Sequence, residues 1–237
     1  PTLSRKLSQL YYIVLCALAF IGPVSNSSAQ ITVNKAIVHI GPNTRAIQNI
    51  TVTNSSQETL FVSILPEEVI KPGFPEEKRE ETQEIVFAPK RFSIEAGAQR
   101  TVRLVIATTD RSREKIYRVK FLPQTDDFTN EKGDVVGVKG AMVKVLFTVG
   151  ILIIVDPETP TPKLEWTREG DSINFENNGN VNILIEEGKS CVSDSDKCED
   201  LPSERIYPGN KFKVKATAGN IVKYRQQIGE EYSPLVI

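Results

Sequence analysis

His39 is the only histidine in the 237-residue chain, and Cys16, Cys191 and Cys198 are its only cysteines. A single imidazole, in the alternating run IVHI, supports neither a histidine-activated nucleophile nor a multi-histidine metal site. It reads as a strand residue. The run EEKREE (76–81) has the residue types for acid–base work, but charge runs between prolines and polar residues are ordinarily solvated. No glycine loop has phosphate-cradling spacing. Trp166 stands alone and reads as a core residue rather than a sugar platform, since only 7% of residues are aromatic. Cys191 and Cys198 carry the more definite chemistry. The six residues VSDSDK between them could turn a chain between adjoining strands. A disulfide closing so short a loop contributes about 2–3 kcal/mol. Zinc is the competing reading, but two thiols lack companion ligands. The expectation is therefore no enzyme, no cofactor and no metal.

The elements that must position these residues follow from composition and pattern. With 40% hydrophobic and 25% charged residues and a net charge of −1, the chain suits one large or two smaller globular domains. The near-neutral balance gives no basic face for nucleic acid. Arg5 and Lys6 precede the apolar run LYYIVLCALAFI and the small-residue stretch SNSSA, so residues 1–29 read as a secretory signal. An uncleaved anchor is the alternative, but twelve apolar residues are short for a membrane span. Cleavage would remove Cys16 and leave an even cysteine pair in an exported protein, which favours the disulfide. It would also leave 27 basic against 30 acidic side chains, a net −3, and no membrane insertion is expected afterwards.

The rest reads as all-β. ITVNKAIVHI (31–40), AIQNITVTN (46–54), LFVSILPEEV (60–69), RTVRLVIAT (100–108) and YRVKFLP (117–123) are rich in Val, Ile, Thr and aromatics, with turn formers between them. The segment KPGFPEEKREETQE (71–84) reads as a mobile loop because of Pro72, Pro75 and its charge. DPETPTP (156–162) reads as a linker, since successive prolines end a strand ladder. Strands resume with KLEWT, SINFE, VNILIEEG, RIYPGNKFKVKA and IVKYRQQI. The boundaries expected are 1–29 for the signal, 30–157 for a first sandwich and 158–237 for a second.

One stretch resists the ordinary pattern. VLFTVGILIIV (145–155) is too short to span a bilayer as a helix, and Gly150 and the β-branched residues favour a strand. Antiparallel sandwich strands normally alternate apolar with polar residues, whereas here both faces are apolar after Lys144. A central strand buried on both faces is one explanation. The other is that one face fills the protein's own core and the second meets a partner.

At this point the sequence resembles the periplasmic chaperones of chaperone–usher pilus systems. APKRFSIEAGAQRTVRLVI (88–106), YRVKFLP (117–123), VKVLFTVGILIIVDP (143–157) and FENNGNVNILI (175–185) resemble successive family segments, and the resemblance covers essentially all of 30–237. The wording YRV and VGILIIV is nearer to the alternate or archaic branches. The resemblance implies two immunoglobulin-like β-sandwich domains arranged as an L, a periplasmic location, pilus subunits as clients and an outer-membrane usher as the recipient. It also implies that 143–155 is a donor strand lent to a subunit that lacks its last strand.

With period two, Val143, Val145, Phe147 and Val149 fall on one face and form the expected donor set; Lys144, Leu146 and Thr148 fall on the other. A bulge would exchange the faces. Family chaperones anchor the subunit's terminal carboxylate with basic residues in the cleft. Their pattern puts an arginine on the first strand, where this chain has Lys35, and a lysine late in the donor strand, where it has Leu152. Arg118 is the expected substitute, followed by Lys35 and then Lys144; Arg103 in VRL reads as a structural ion-pair residue. A secreted adhesive or pilus structural protein with immunoglobulin-like domains is the alternative function.

Overall fold

The computed structural model describes residues 30–73, 77–124, 146–192 and 197–237. The signal expected at 1–29 and Val143, Lys144 and Val145 lie outside the described residues.

Ten strands precede the proline-rich segment: β1 (Ile31–Val33), β2 (Ile37–Ile40), β3 (Ile47–Asn54), β4 (Leu60–Val69), β5 (Arg79–Glu81), β6 (Ile85–Ala88), β7 (Arg91–Ile94), β8 (Gln99–Ile106), β9 (Lys115–Gln124) and β10 (Val149–Val155). They form a sheet ordered β1-β3-β8-β6 facing a second ordered β2-β10-β9-β4-β5, with β7 also on β4. The run 31–40, one strand by pattern, is two. It pairs with β3 through β1, breaks at 34–36, and crosses to lie parallel to β10 as β2. Period-two burial explains the sandwich: Ile50 and Val52 of β3, Val62 and Ile64 of β4, and Val119 and Phe121 of β9 all point into one core.

Eight further strands follow: β11 (Leu164–Glu169), β12 (Ser172–Asn177), β13 (Ile183–Cys191), β14 (Cys198–Leu201), β15 (Glu204–Ile206), β16 (Lys211–Lys215), β17 (Ile221–Ile228) and β18 (Glu231–Val236). They make the sheets β11-β12-β16 and β14-β13-β17-β18, with β15 beside β13, around a second core that includes Ile173, Phe175, Ile185, Val214 and Tyr224. RIYPGNKFKVKA, expected as one strand, is β15 and β16 separated by a turn at Tyr207–Asn210. Among the described residues each sandwich contains one fully buried asparagine. The Asn177 amide donates to the Val181 and Ile206 carbonyls and accepts the Gly179 amide. A Cβ on Gly179 would sit 2.5 Å from the backbone of Thr161 and Lys163, so FENNGN is fixed by packing as well as by turn chemistry. The Asn54 amide likewise donates to the carbonyls of Glu58, Ile94 and Glu95.

Three expectations are corrected. The 71–84 loop is not uniformly unpaired, because β5 pairs with Glu67–Val69 of β4. Trp166 sits on the outer strand β11 and is 42% exposed, so it is not a core residue. Arg103 lies exposed on β8 without an ion pair among the described residues; it is not a structural ion-pair residue. The disulfide is present: Cys191 and Cys198 face each other across β13 and β14 and are bonded.

Phe121 is fully buried and meets Phe87 edge to face at 6.0 Å. Phe121→Ala should cost about 3–5 kcal/mol of stability in urea unfolding. A loss below about 1 kcal/mol would mean that the site collapses around the cavity.

Candidate functional site

β10 is paired unequally on its two edges. On the inner edge β9 matches it from Val149 to Val155. On the outer edge β2 matches only Leu152–Val155, beginning with the Leu152 amide donating to the Ala36 carbonyl at 2.9 Å. No strand pairs with the outer edge of Val149–Ile151 among the described residues. Backbone groups alternate along a strand, so Gly150 presents its N–H and C=O outward as Leu152 does. The edge is a template for another strand, in line with β2.

The two apolar faces have separate explanations. Ile151, Ile153 and Val155 fill the first core, and the half-buried Val149 packs against it. Phe147, next on that face, is 47% exposed. Leu152 and Ile154 cluster instead with Val69, Ile116 and Tyr207. Tyr207 belongs to the second sandwich, so beyond Leu152 the second apolar face is covered by the chain itself and requires no partner there.

The expected cations are dispersed. Lys35 lies at the break between β1 and β2, where the pairing of β10 stops; its Nζ donates to Gln48 Oε1 at 3.4 Å. Arg118 is opposite Leu152 on the cleft face of the sheet, beside Ile116 and Tyr207. Its Nε and Nη2 both donate at 3.3 Å to Glu77. Arg118 therefore leans toward β5, whereas Lys35 is at the end of the open edge. Two basic residues not singled out from sequence share this face. Lys120 sits opposite Gly150 and pairs with Glu67 at 2.8 Å. Arg79 donates to Glu77 at 2.5 Å. Arg79 lies in a charge run, where only strand pairing reveals which side chain faces the cleft. No group of three or more His, Cys, Asp or Glu is placed to hold a metal ion among the described residues.

Residues 30–157 match the family model for the N-terminal domain of PapD, the pili and flagellar-assembly chaperone. The chain belongs to this chaperone family. No curated protein matches the chaperone in sequence. Its fold is similar to a chain of the chaperone–tip adhesin complex of CFA/I fimbriae biogenesis: 21% identity, 88% of this chain and 98% of that one, TM-score 0.60. It is also similar to the class 5 fimbriae chaperone CfaA, with 19% identity, 87% and 98% coverage and TM-score 0.60. A chain of the Salmonella enterica SafA pilin–SafB chaperone complex matches at 14% identity, 90% and 98% coverage and TM-score 0.58. At these identities the likeness shows the fold.

The chaperone's two sandwiches are joined by a polar contact near the linker. Glu114, 7% exposed, accepts at Oε2 from the Asn182 backbone amide at 2.8 Å and from Asn182 Nδ2 at 2.6 Å. Its Oε1 is buried without a hydrogen-bond partner among the described residues. Burial is the main cause that pushes the Glu114 carboxyl up to about 7, with nearby Asp156 adding to it and the Asn182 bonds opposing. His39, 2.8 Å from Asp156, is raised above its usual value, chiefly by that hydrogen bond. Both folded-state shifts are upward, so both contributions are full in acid and are lost as pH rises through the folded values. Unfolding free energy should fall between pH 4.5 and about 7, with Glu114 accounting for roughly 3 kcal/mol. Glu114→Gln should flatten this limb in urea titrations at several pH values. An unchanged slope would remove Glu114 as its source.

Proposed function

We propose that this chaperone works in the periplasm, after removal of 1–29, by adding β10 to an incomplete pilus subunit. Residues 30–157 are the strand-donating domain and 158–237 the second domain. The reading rests on the open outer edge of Val149–Ile151, which ends where β2 and Lys35 begin. A subunit strand laid parallel to β10, as β2 is, would bring its C-terminus to Lys35. Its carboxylate is ionised at neutral pH and would form a charge-assisted hydrogen bond with the ammonium group. Val143, Val145, Phe147 and Val149 are the proposed donor face, continuing the line of Ile151 and Ile153 so that two cores share one row. Arg118 supplies a second cation in the cleft, and Lys144 a third near the donor segment.

Strand addition satisfies the subunit's unpaired edge and covers its apolar groove without ATP, so no catalytic step is required. Delivery to an outer-membrane usher, where another subunit's extension replaces β10, completes the proposed cycle. Hydrogen exchange on the chaperone with and without the pilin encoded beside it tests the reading. The Gly150 amide should become strongly protected in the complex. Complex formation without that protection would refute strand addition at this edge, and no complex at all would favour an adhesive protein.

A further inference from the structure

The sandwiches meet through contacts of two kinds. One is apolar: Tyr207 of the second sandwich packs with Val69, Ile116, Leu152 and Ile154 of the first. The other lies beside the linker and is built from groups that titrate. His39, the sole histidine of the chain, is on β2. Its Nε2 lies 2.8 Å from Asp156 Oδ1. The ring rests on the β17–β18 turn, where Gly229 has φ of 60° and a Cβ would come 3.0 Å from His39 Cε1. Glu230 in that turn and Glu114 add negative potential at the ring. Glu230 and Glu231 line a cavity of about 430 Å³ with His39 and Asp156. A second cavity of about 280 Å³ has His39, Arg205, Glu230 and Tyr232 in its wall. The imidazole keeps 16% exposure, enough to exchange protons with water.

The permanent cations nearby are committed elsewhere. Arg111 donates from Nε to the Asp156 carbonyl at 2.6 Å and from Nη2 to the Ile40 carbonyl at 3.4 Å, so it holds backbone rather than the carboxylate. Arg205 donates to Asn182 Oδ1 and so fixes the amide whose Nδ2 donates to Glu114. Arg113 pairs with Glu68, and Lys115 turns to Glu84. His39 is left as the partner of the Asp156 carboxylate, and its charge changes near neutral pH. With His39 charged and Glu114 neutral, Asp156 is paired and the buried acid carries no charge. With both protons gone, two carboxylates share the contact without a cation to separate them. The Glu114 charge then regains hydration only if water enters between the sandwiches.

We propose that His39, Asp156, Glu114 and the Asn182–Arg205 pair form a proton-operated latch between the sandwiches, closed in mild acid and released as pH rises. Tyr207 and its apolar neighbours carry no titrating contact and serve as the pivot. The two walls of the cleft belong to different sandwiches, so the latch sets how far the cleft opens. His39 and Glu114 both hold their protons more tightly in the closed contact than in water. That contact is therefore complete in acid and is lost as pH rises through the folded values. Release parts the sandwiches without unfolding either core.

The test uses protein without a histidine tag, so that His39 gives a single imidazole resonance. NMR hydrogen exchange and small-angle X-ray scattering are recorded between about pH 5.5 and about pH 8.5, with circular dichroism verifying that the protein stays folded. The backbone amide of Asn182, which donates to Glu114, reports the latch. Its protection factor should fall about ten- to a hundredfold across this range. The scattering profile should broaden over the same interval, and His39 should titrate above its ordinary value. His39→Gln and Glu114→Gln should each remove part of the response, and the double variant nearly all of it. Melting curves verify the fold of each variant. A wild type whose scattering and Asn182 protection do not vary with pH overturns the latch. A full response in the double variant also overturns it, because the sensor then lies elsewhere. So does a loss of Asn182 protection with unchanged scattering, since the sandwiches then stay together.

Discussion

Phe147→Asp should abolish stable subunit capture while leaving the free chaperone folded. Phe147 is 47% exposed, so its removal takes little from the first core. In the proposed complex the same ring enters the subunit's groove, where burying a phenylalanine is worth about 1.5–3 kcal/mol. Aspartate forfeits that gain and must also be dehydrated in an apolar groove, which costs further unless it is paired or protonated. A total loss above about 3 kcal/mol lowers affinity more than a hundredfold. Co-purification and titration calorimetry with the pilin, alongside a melting curve, separate the two effects. Retained affinity would show that the register of β10 is shifted by one residue and that Leu146 and Thr148 face the subunit. That shift is specific because neighbouring residues on a strand point to opposite faces.

Lys35→Ala should weaken the same complex by about 2–5 kcal/mol, the range for removing one partner from a desolvated charge pair. Among the described residues Lys35 makes only the 3.4 Å contact with Gln48, so stability should change little. Binding by wild type should also fall as pH drops below about 4, where a chain-terminal carboxylate takes up its proton. That acid limb should be much reduced in Lys35→Ala. Full affinity in Lys35→Ala with the acid limb preserved would assign the terminal carboxylate to the Arg118 site instead. Stability in acid must be followed in parallel. Glu84, held low by its bonds to Lys115 and Tyr117 against the effect of burial, stabilises the fold only above the point where it protonates.

The family resemblance aligns a basic residue late in the proposed donor strand with Leu152 of this chain. Leu152 packs with Val69, Ile116 and Tyr207 between the sandwiches, and Arg118 lies opposite it on β9.

Alternation in 46–54, 60–69 and 117–123 determined strands with one buried face, and Pro157, Pro160 and Pro162 marked the break between two sets of strands. The proximity of Cys191 and Cys198 was legible because seven positions of separation suit a hairpin-like pairing. Other features were not legible, because they depend on contacts distant in sequence. The split of 31–40 into β1 and β2 follows from which sheet edge each half meets, not from any break in its apolar pattern. The second apolar face of β10 left a doubly buried strand and a partner surface both open from sequence; in the fold Leu152 and Ile154 meet Tyr207, more than fifty residues on. Arg79 and Glu77 looked like solvated members of a charge run until β5 paired with β4 and brought them to Arg118. Local pattern fixes which face of a strand is buried; only the pairing of distant strands decides what that face is buried against.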